Sequence, residues 1–280
     1  MIRAFAVALV LSCLATSAWA QAQPIPGTAA PIAAAPLIKP AVKKQIPKTN
    51  TTAKPTGPAE SGPCQIGVIP AIGDEFVYQK IGFTILTNQL VEVPIAGWGL
   101  DDLVIARVRA ATSPATRVRK IVYNKAALAG QGQRSSLLLP NTQAELITVV
   151  RELAGNANCE RYVLVTRFAR QFSGNQSISG VGILNTGSTI VGSTQLFASI
   201  YIRVFDGRDF KIIRQSPASI DDDPSAVRNF LGLGVPLKRL DISSFPDTPA
   251  EAVATPAIRD GARALLATSL DKTLPAVLAP

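Results

Sequence analysis

The sequence predicts an α/β or α+β fold: one domain with a mixed β-sheet and about three helices, behind a signal peptide and a disordered Pro-rich tether. Three observations predict it. Two short, continuous apolar runs, Ile66 to Ile69 and Tyr162 to Val165, have the pattern of strands buried on both faces of a sheet. Two segments, from Asp101 and from Thr142, repeat their apolar residues at helical spacing. A long run from Leu196 to Phe205 alternates with the period of a strand that has two unlike faces.

The elements follow in order. After the strand at Ile66, Phe76 to Leu86 and Leu90 to Ile95 read as two strands, paired through a turn at Thr87-Asn88-Gln89. Trp98, between Gly97 and Gly99, is placed to anchor the core where the first helix begins. That helix presents Leu100, Leu103, Val104 and Val108 on one face. Arg117 to Tyr123 is a further strand. A second helix starts after Pro140, where Thr142-Gln-Ala-Glu145 forms a capping box; Leu146, Val149, Val150 and Leu153 make its stripe and Gly155 stops it.

Ser173 to Ser193 is rich in Gly, Ser and Asn, and reads either as a glycine-loosened hairpin or as a mobile flap. Next, Leu196, Ala198, Ile200, Ile202 and Val204 alternate with Phe197, Ser199, Tyr201, Arg203 and Phe205. Asp206-Gly207 then turns the chain into a strand at Phe210 to Ile213. Phe230 to Leu237 and Ile242 to Phe245, apolar and broken by Gly and Pro, read as loops over the core or as a partner-binding patch. A last helix starts at Thr255-Pro256, presents Ile258, Ala262, Leu265 and Leu266, and fades before Pro275.

Ahead of this domain (64–280) lie two other segments. Residues 1–20 carry a basic start (Arg3), an apolar run from Ala4 to Leu14 and a small-residue site at Ala18-Trp19-Ala20, the pattern of a secretory signal peptide. Leu11-Ser12-Cys13 loosely resembles a lipobox, which would tether the protein to a membrane through Cys13. No later stretch is long and apolar enough to read as a transmembrane helix. Residues 21–63 are Pro- and Ala-rich, with Lys39, Lys43, Lys44, Lys48 and Lys54 against Glu60. Such a segment cannot bury enough apolar surface to fold, and its prolines favour an extended spacer. It resembles the Pro-Lys spacers of periplasm-spanning energy-transducing proteins. The implied location is the periplasm or the exterior.

The chain contains no histidine. Histidine-dependent nucleophile systems, His-ligated zinc and an imidazole base are therefore excluded. Carboxylate chemistry, Ser-Lys or Tyr-Lys pairs, oxygen-ligated metals or no catalysis remain. Loss of the signal peptide would remove Cys13 and leave Cys64 and Cys159, an even pair expected to bridge in an exported chain.

Ala71 to Phe76, AIGDEF, differs by one letter from the Gly-Gly-Asp-Glu-Phe signature of diguanylate cyclases. Ile72 replaces the first Gly, and only one short strand precedes it in the domain, so the half of a cyclase that should come first is missing. The same residues resemble the Gly-Asp-Ser block of lipases and esterases, but Glu75 stands in place of Ser and no histidine exists. Gly73-Asp74 reads instead as the turn leaving a buried strand.

If the strands at Ile66 and Tyr162 are parallel neighbours, Cys64 and Cys159 meet at one edge of the sheet. The opposite edge gathers Asp74 and Glu75 with Arg167 and Arg170, where ligands of open α/β sheets bind. These four are the candidate binding residues for a small or glycan-like ligand; a surface ion-pair cluster is the plainer reading. Asp221-Asp222-Asp223-Pro224 lacks a calcium-loop spacing and reads as an acidic helix cap. Arg107, Arg109, Arg117, Arg119 and Lys120 lack interleaved aromatics, which speaks against nucleic acid and leaves solvated faces or an anionic envelope polymer.

No metal or cofactor is implied. The element order is similar in outline to the small α/β domains of TolB amino-terminal type and of lipoprotein activators of cell-wall synthases, with no shared residue motif. The expectation is an exported cell-envelope accessory protein that binds an envelope protein, glycan or anionic polymer. The rival is a carboxylate-dependent envelope enzyme with Asp74 or Glu75 as base and an arginine as anion clamp.

Overall fold

The run at Ile66 to Ile69 is apolar throughout because its strand is covered on both sides. In β1 (Cys64–Ala71), Ile66 and Val68 pack into the larger core cluster and Ile69 into a second one, and all are buried. β5 (Cys159–Arg167) divides in the same way, with Val163 and Val165 in the first cluster and Tyr162 and Leu164 in the second. The computed structural model describes residues 63–82, 87–124, 142–173, 176–187, 192–220 and 235–279. They build one mixed α/β domain.

The strands are β1, β2 (Glu75–Ile81), β3 (Gln89–Pro94), β4 (Val118–Lys120), β5, β6 (Arg170–Ser173), β7 (Gln176–Ile178), β8 (Gly180–Thr186), β9 (Ser193–Asp206), β10 (Ile212–Pro217) and β11 (Leu237–Leu240). The main sheet runs β3-β2-β8-β9-β5-β1-β4, with β10 and β11 also paired to β9. β1 is parallel to β4 and β5, and β2 is parallel to β8; the pairs made by β3 and β9 are antiparallel. β9 organises the sheet. Its residues from Ser193 to Ser199 pair with β8, and those from Ile200 to Asp206 pair with β5.

Helices α1 (Leu100–Ala110), α3 (Pro249–Ala254) and α4 (Pro256–Leu278) pack on one face. There Val104, Val108, Ala252, Leu266, Leu270 and Leu274 meet the inward residues Leu196, Ala198, Ile200, Ile202 and Val204 of β9. On the other face α2 (Thr142–Ala154) lays Leu146, Val150 and Ala154 over Ile69, Tyr162, Leu164 and Phe205. A smaller cluster on this second face joins Val77, Leu184 and Phe197 with Ile178 of β7 and Val235. Trp98 is buried just before α1, its ring 5.0 Å from that of Phe76, and Arg263 donates to its carbonyl.

Several expectations change. The last helix does not fade before Pro275 but continues to Leu278. Pro275 has no N–H to give to the preceding turn; burial of Leu274 and Val277 holds the final turn against the core. The strand after Asp206-Gly207 begins at Ile212, because Phe210 takes φ +60 to close the turn and stacks its ring 5.4 Å from Tyr162. The strand expected over Arg117 to Tyr123 shortens to Val118–Lys120. Leu237 belongs to strand β11 rather than to a loop, and Ile242–Ser244 forms a 3-10 turn that sets Phe245 against Tyr78, 4.9 Å between rings. Residues 83–86, the Asp221 to Asp223 cluster and Phe230 to Gly234 lie outside the described residues.

The Gly-rich segment supplies a central strand, β8, and most of a small hairpin, β6 with β7. Its glycines have a packing reason. A Cβ on Gly182 would stand 2.4 Å from both the Val77 carbonyl and the Phe197 ring, so the bare backbone makes room for that ring.

Candidate functional site

β1 and β5 run parallel in a register that sets Cys64 opposite Cys159, and the two form a disulfide with a Cα–Cα distance of 4.4 Å. Both are buried. At the other end of these strands the chain leaves β1, turns at Gly73 and enters β2, while β5 ends at Arg167. The four candidate binding residues lie along this stretch, and the structure sends their side chains to three different places.

Glu75 and Arg167 come together. Arg167 Nη1 donates to Glu75 Oε2 at 2.8 Å, and Nη2 donates to Glu92 of β3, a partner that sequence spacing did not suggest. Gly180 makes the crossing feasible: with φ +75 it has no side chain beneath Arg167, where a Cβ would lie 2.7 Å from Nε. One guanidinium therefore satisfies two carboxylates across β2, β3 and β5. With Glu75 and Glu92 side chains 48% and 40% exposed, the triad is a surface ion cluster of modest energetic value.

Asp74 is oriented elsewhere. Its backbone carbonyl accepts from Ile95 N at 2.7 Å. Its carboxylate, with that of Asp101, acts on Tyr123, whose hydroxyl donates to Pro70 O at 2.7 Å; burial first, and then these two charges, push the phenol above its ordinary value.

Arg170 leaves the edge altogether. Its guanidinium lies 5.1 Å from the Phe168 ring centroid, Phe168 lies 4.8 Å from Tyr201, and Arg203 sits 4.2 Å over the Tyr201 ring. Arg203 Nη1 donates to Thr166 Oγ1 at 3.3 Å. Ser199 Oγ donates to the Phe168 carbonyl at 2.7 Å, and Phe168 N to the Ser199 carbonyl, so the start of the strip is pinned to β9. Arg170 is 7% exposed, and none of Nε, Nη1 and Nη2 has a hydrogen-bond partner among the described residues. Burial lowers its pKa to about 10 and also lowers that of Arg203. Sequence reasoning named Arg170 but missed Phe168 and Thr166. Tyr201 and Arg203 were visible only as alternate residues on the polar-tolerant face of β9.

The basic grouping of α1 and β4 is largely accounted for. Arg107 pairs with Asp271 at 3.1 Å and Lys120 with Asp102 at 2.8 Å, while Arg109 and Arg119 donate to the carbonyls of Val118 and Ala157. Among the described residues no three His, Cys, Asp or Glu side chains are grouped to hold a metal ion. No described helix is long and apolar enough to cross a membrane.

No family model matches the chain, and no curated protein matches it. Among solved structures, it is similar to protein XCC0632 from Xanthomonas campestris, of family model DUF330. The identity is 8% and the TM-score 0.38, over 79% of this chain and 90% of that one. It is also similar to a PelC dodecamer from Paraburkholderia phytofirmans, 10% identical with TM-score 0.28, over 78% and 93% of the two chains. A third is the protein CT253 from Chlamydia trachomatis, 13% identical with TM-score 0.26, over 77% and 99%. At these values the likenesses assign neither a family nor an activity.

Proposed function

We propose that the chain is an exported accessory protein of the cell envelope that works by binding another envelope component, a protein, a glycan or an anionic polymer. The observation that carries this reading is the buried bridge between Cys64 and Cys159. Bridges of this kind persist in oxidising compartments and are rare where thiols are kept reduced. The signal-type pattern of residues 1–20 and the one-sided charge of the Pro-rich segment support the same location.

Binding is favoured over catalysis by what the edge residues do. Glu75 is already an acceptor for Arg167, which is shared with Glu92. A carboxylate held in this way is a poor proton shuttle, and Arg167 is not available as a clamp for substrate. The test compares Asp74→Ala and Arg167→Ala with the parent chain. A binding module retains its envelope partner in both variants and turns over nothing. Turnover of a glycan or phosphoester by the parent, abolished in both variants, would replace this reading with the carboxylate enzyme.

A further inference from the structure

We propose that Arg170 and Arg203, held against the rings of Phe168 and Tyr201, form a binding site for one anionic group, a carboxylate or a phosphate, carried by the envelope component. The proposal rests on the binding reading above and assigns it a place and a ligand chemistry. Four observations carry it.

First, a buried arginine is ordinarily paired, since removing its charge from water without compensation is costly. Arg170 is buried, yet all three of its nitrogens lack a hydrogen-bond partner among the described residues. Second, the two carboxylates at the edge that Arg170 leaves, Glu75 and Glu92, are both committed to Arg167. Third, the ring faces of Phe168 and Tyr201 steady the two guanidinium groups but offer no acceptor for their N–H forks. That arrangement fixes the cations in place and leaves their in-plane donors for an oxyanion, the partner that a planar fork matches best. Fourth, Phe168, Tyr201 and Arg203 are only half-buried, so the strip reaches solvent on the face of β9 away from α4. Arg203 keeps one donor on Thr166 and presents the rest of its fork beside Tyr201.

The hairpin of β6 and β7 sets the geometry. Arg170 stands opposite Ile178 in that hairpin, and Ile178 is buried against Val77, Leu184 and Phe197. The arginine is thus held on packed structure rather than on a free loop, which is what preorganised recognition of an anion requires.

The test is titration of the purified full chain with inorganic phosphate and, separately, with acetate, followed by calorimetry and by thermal midpoint. The expected result is saturable binding of at least one of them, weakened at least tenfold in Arg170→Gln and in Arg203→Gln and unchanged in Arg208→Gln, whose side chain is exposed in the turn after β9. Whichever of the two binds names the chemistry, phosphate or carboxylate. Arg203 is half-buried, so its variant keeps the test valid if Arg170→Gln fails to fold. Absence of saturable binding of both anions to the parent, or equal affinity in all variants, overturns the site. The titration needs no partner and no export: failure here leaves the envelope-binding reading standing, while binding here by a chain found not to be exported would remove that reading and keep the site.

Discussion

Replacing Arg170 by methionine separates an unpaired buried cation from a structural one. Methionine keeps most of the aliphatic length and packs against an aromatic ring, so the substitution removes the charge without opening a large cavity. Burial lowers the Arg170 pKa from 12.5 to about 10, a difference that corresponds to about 3 kcal/mol of disfavour for the buried ion. Replacing buried ion pairs by apolar residues of similar volume is often neutral or stabilises by roughly 1 to 4 kcal/mol, a gain of the same order. For a domain of about 220 residues, about 3 kcal/mol moves the thermal midpoint by about 6 °C. Arg170→Met is therefore expected to raise the midpoint in anion-free buffer, read by reversible urea or thermal unfolding. In saturating anion the gain should shrink, because only the parent gains from the ligand. A loss of about 3 to 5 kcal/mol in anion-free buffer is the signature of breaking a buried pair; it would show that Arg170 is satisfied within the chain and refute the reasoning.

Three other outcomes are expected. Cys64→Ala with Cys159→Ala opens a loop with sequence separation 95 and should cost about 4.7 kcal/mol in the chain-entropy account, measured by urea unfolding of oxidised parent and double variant; a cost under about 1 kcal/mol would contradict it. Gly182→Ala should destabilise by about 1 to 3 kcal/mol, because the new methyl meets the Val77 carbonyl and displaces the Phe197 ring; an unchanged urea midpoint would show that the sheet gives way freely. Tyr123 has a folded pKa above its unfolded value of about 10. The folded state thus holds this proton longer, and the associated stability is fully present below about pH 10 and lost as pH rises further. Tyr123→Phe should flatten that alkaline decline, and an equally steep decline in the variant would count against the assignment.

Much of the framework was legible because it follows from simple periodicity. Two short apolar runs identified β1 and β5 as strands buried on both faces, and the expected bridge between Cys64 and Cys159 follows from the parallel register that the structure gives them. The alternation in β9 likewise separated the core-facing Leu196 to Val204 series from Tyr201 and Arg203. Other elements were masked by their composition. β8 carries glycines that signal a loop, yet Gly182 exists to admit a neighbouring ring. α3 is only six residues long, although Thr248-Pro-Ala-Glu251 has the capping pattern: Thr248 Oγ1 accepts from Glu251 N at 3.2 Å, and Glu251 Oε2 accepts from Asp247 N at 3.1 Å.

The site was harder to read than the framework, since local spacing does not reveal where a strand breaks. By spacing alone Arg167 and Arg170, three residues apart, share an edge. The break at Phe168-Ala169 leaves the first with Glu75 and Glu92 and starts a new hairpin with the second. What unites Arg170 with Arg203 is a pair of aromatic rings from β9 and the β5 to β6 connection, a contact that only the register of β5 on β9 creates.

Binding of an envelope component through this strip is tested most directly by capture. The full chain, produced from its complete sequence and carrying an affinity tag, is cross-linked in intact cells and recovered from envelope extract beside Arg170→Gln and Arg203→Gln. The account predicts one specific component with the parent chain, lost or strongly reduced with both variants and displaced by the anion that binds in titration. Equal recovery with all three chains, or recovery of nothing while the parent turns over a glycan or phosphoester, would contradict it.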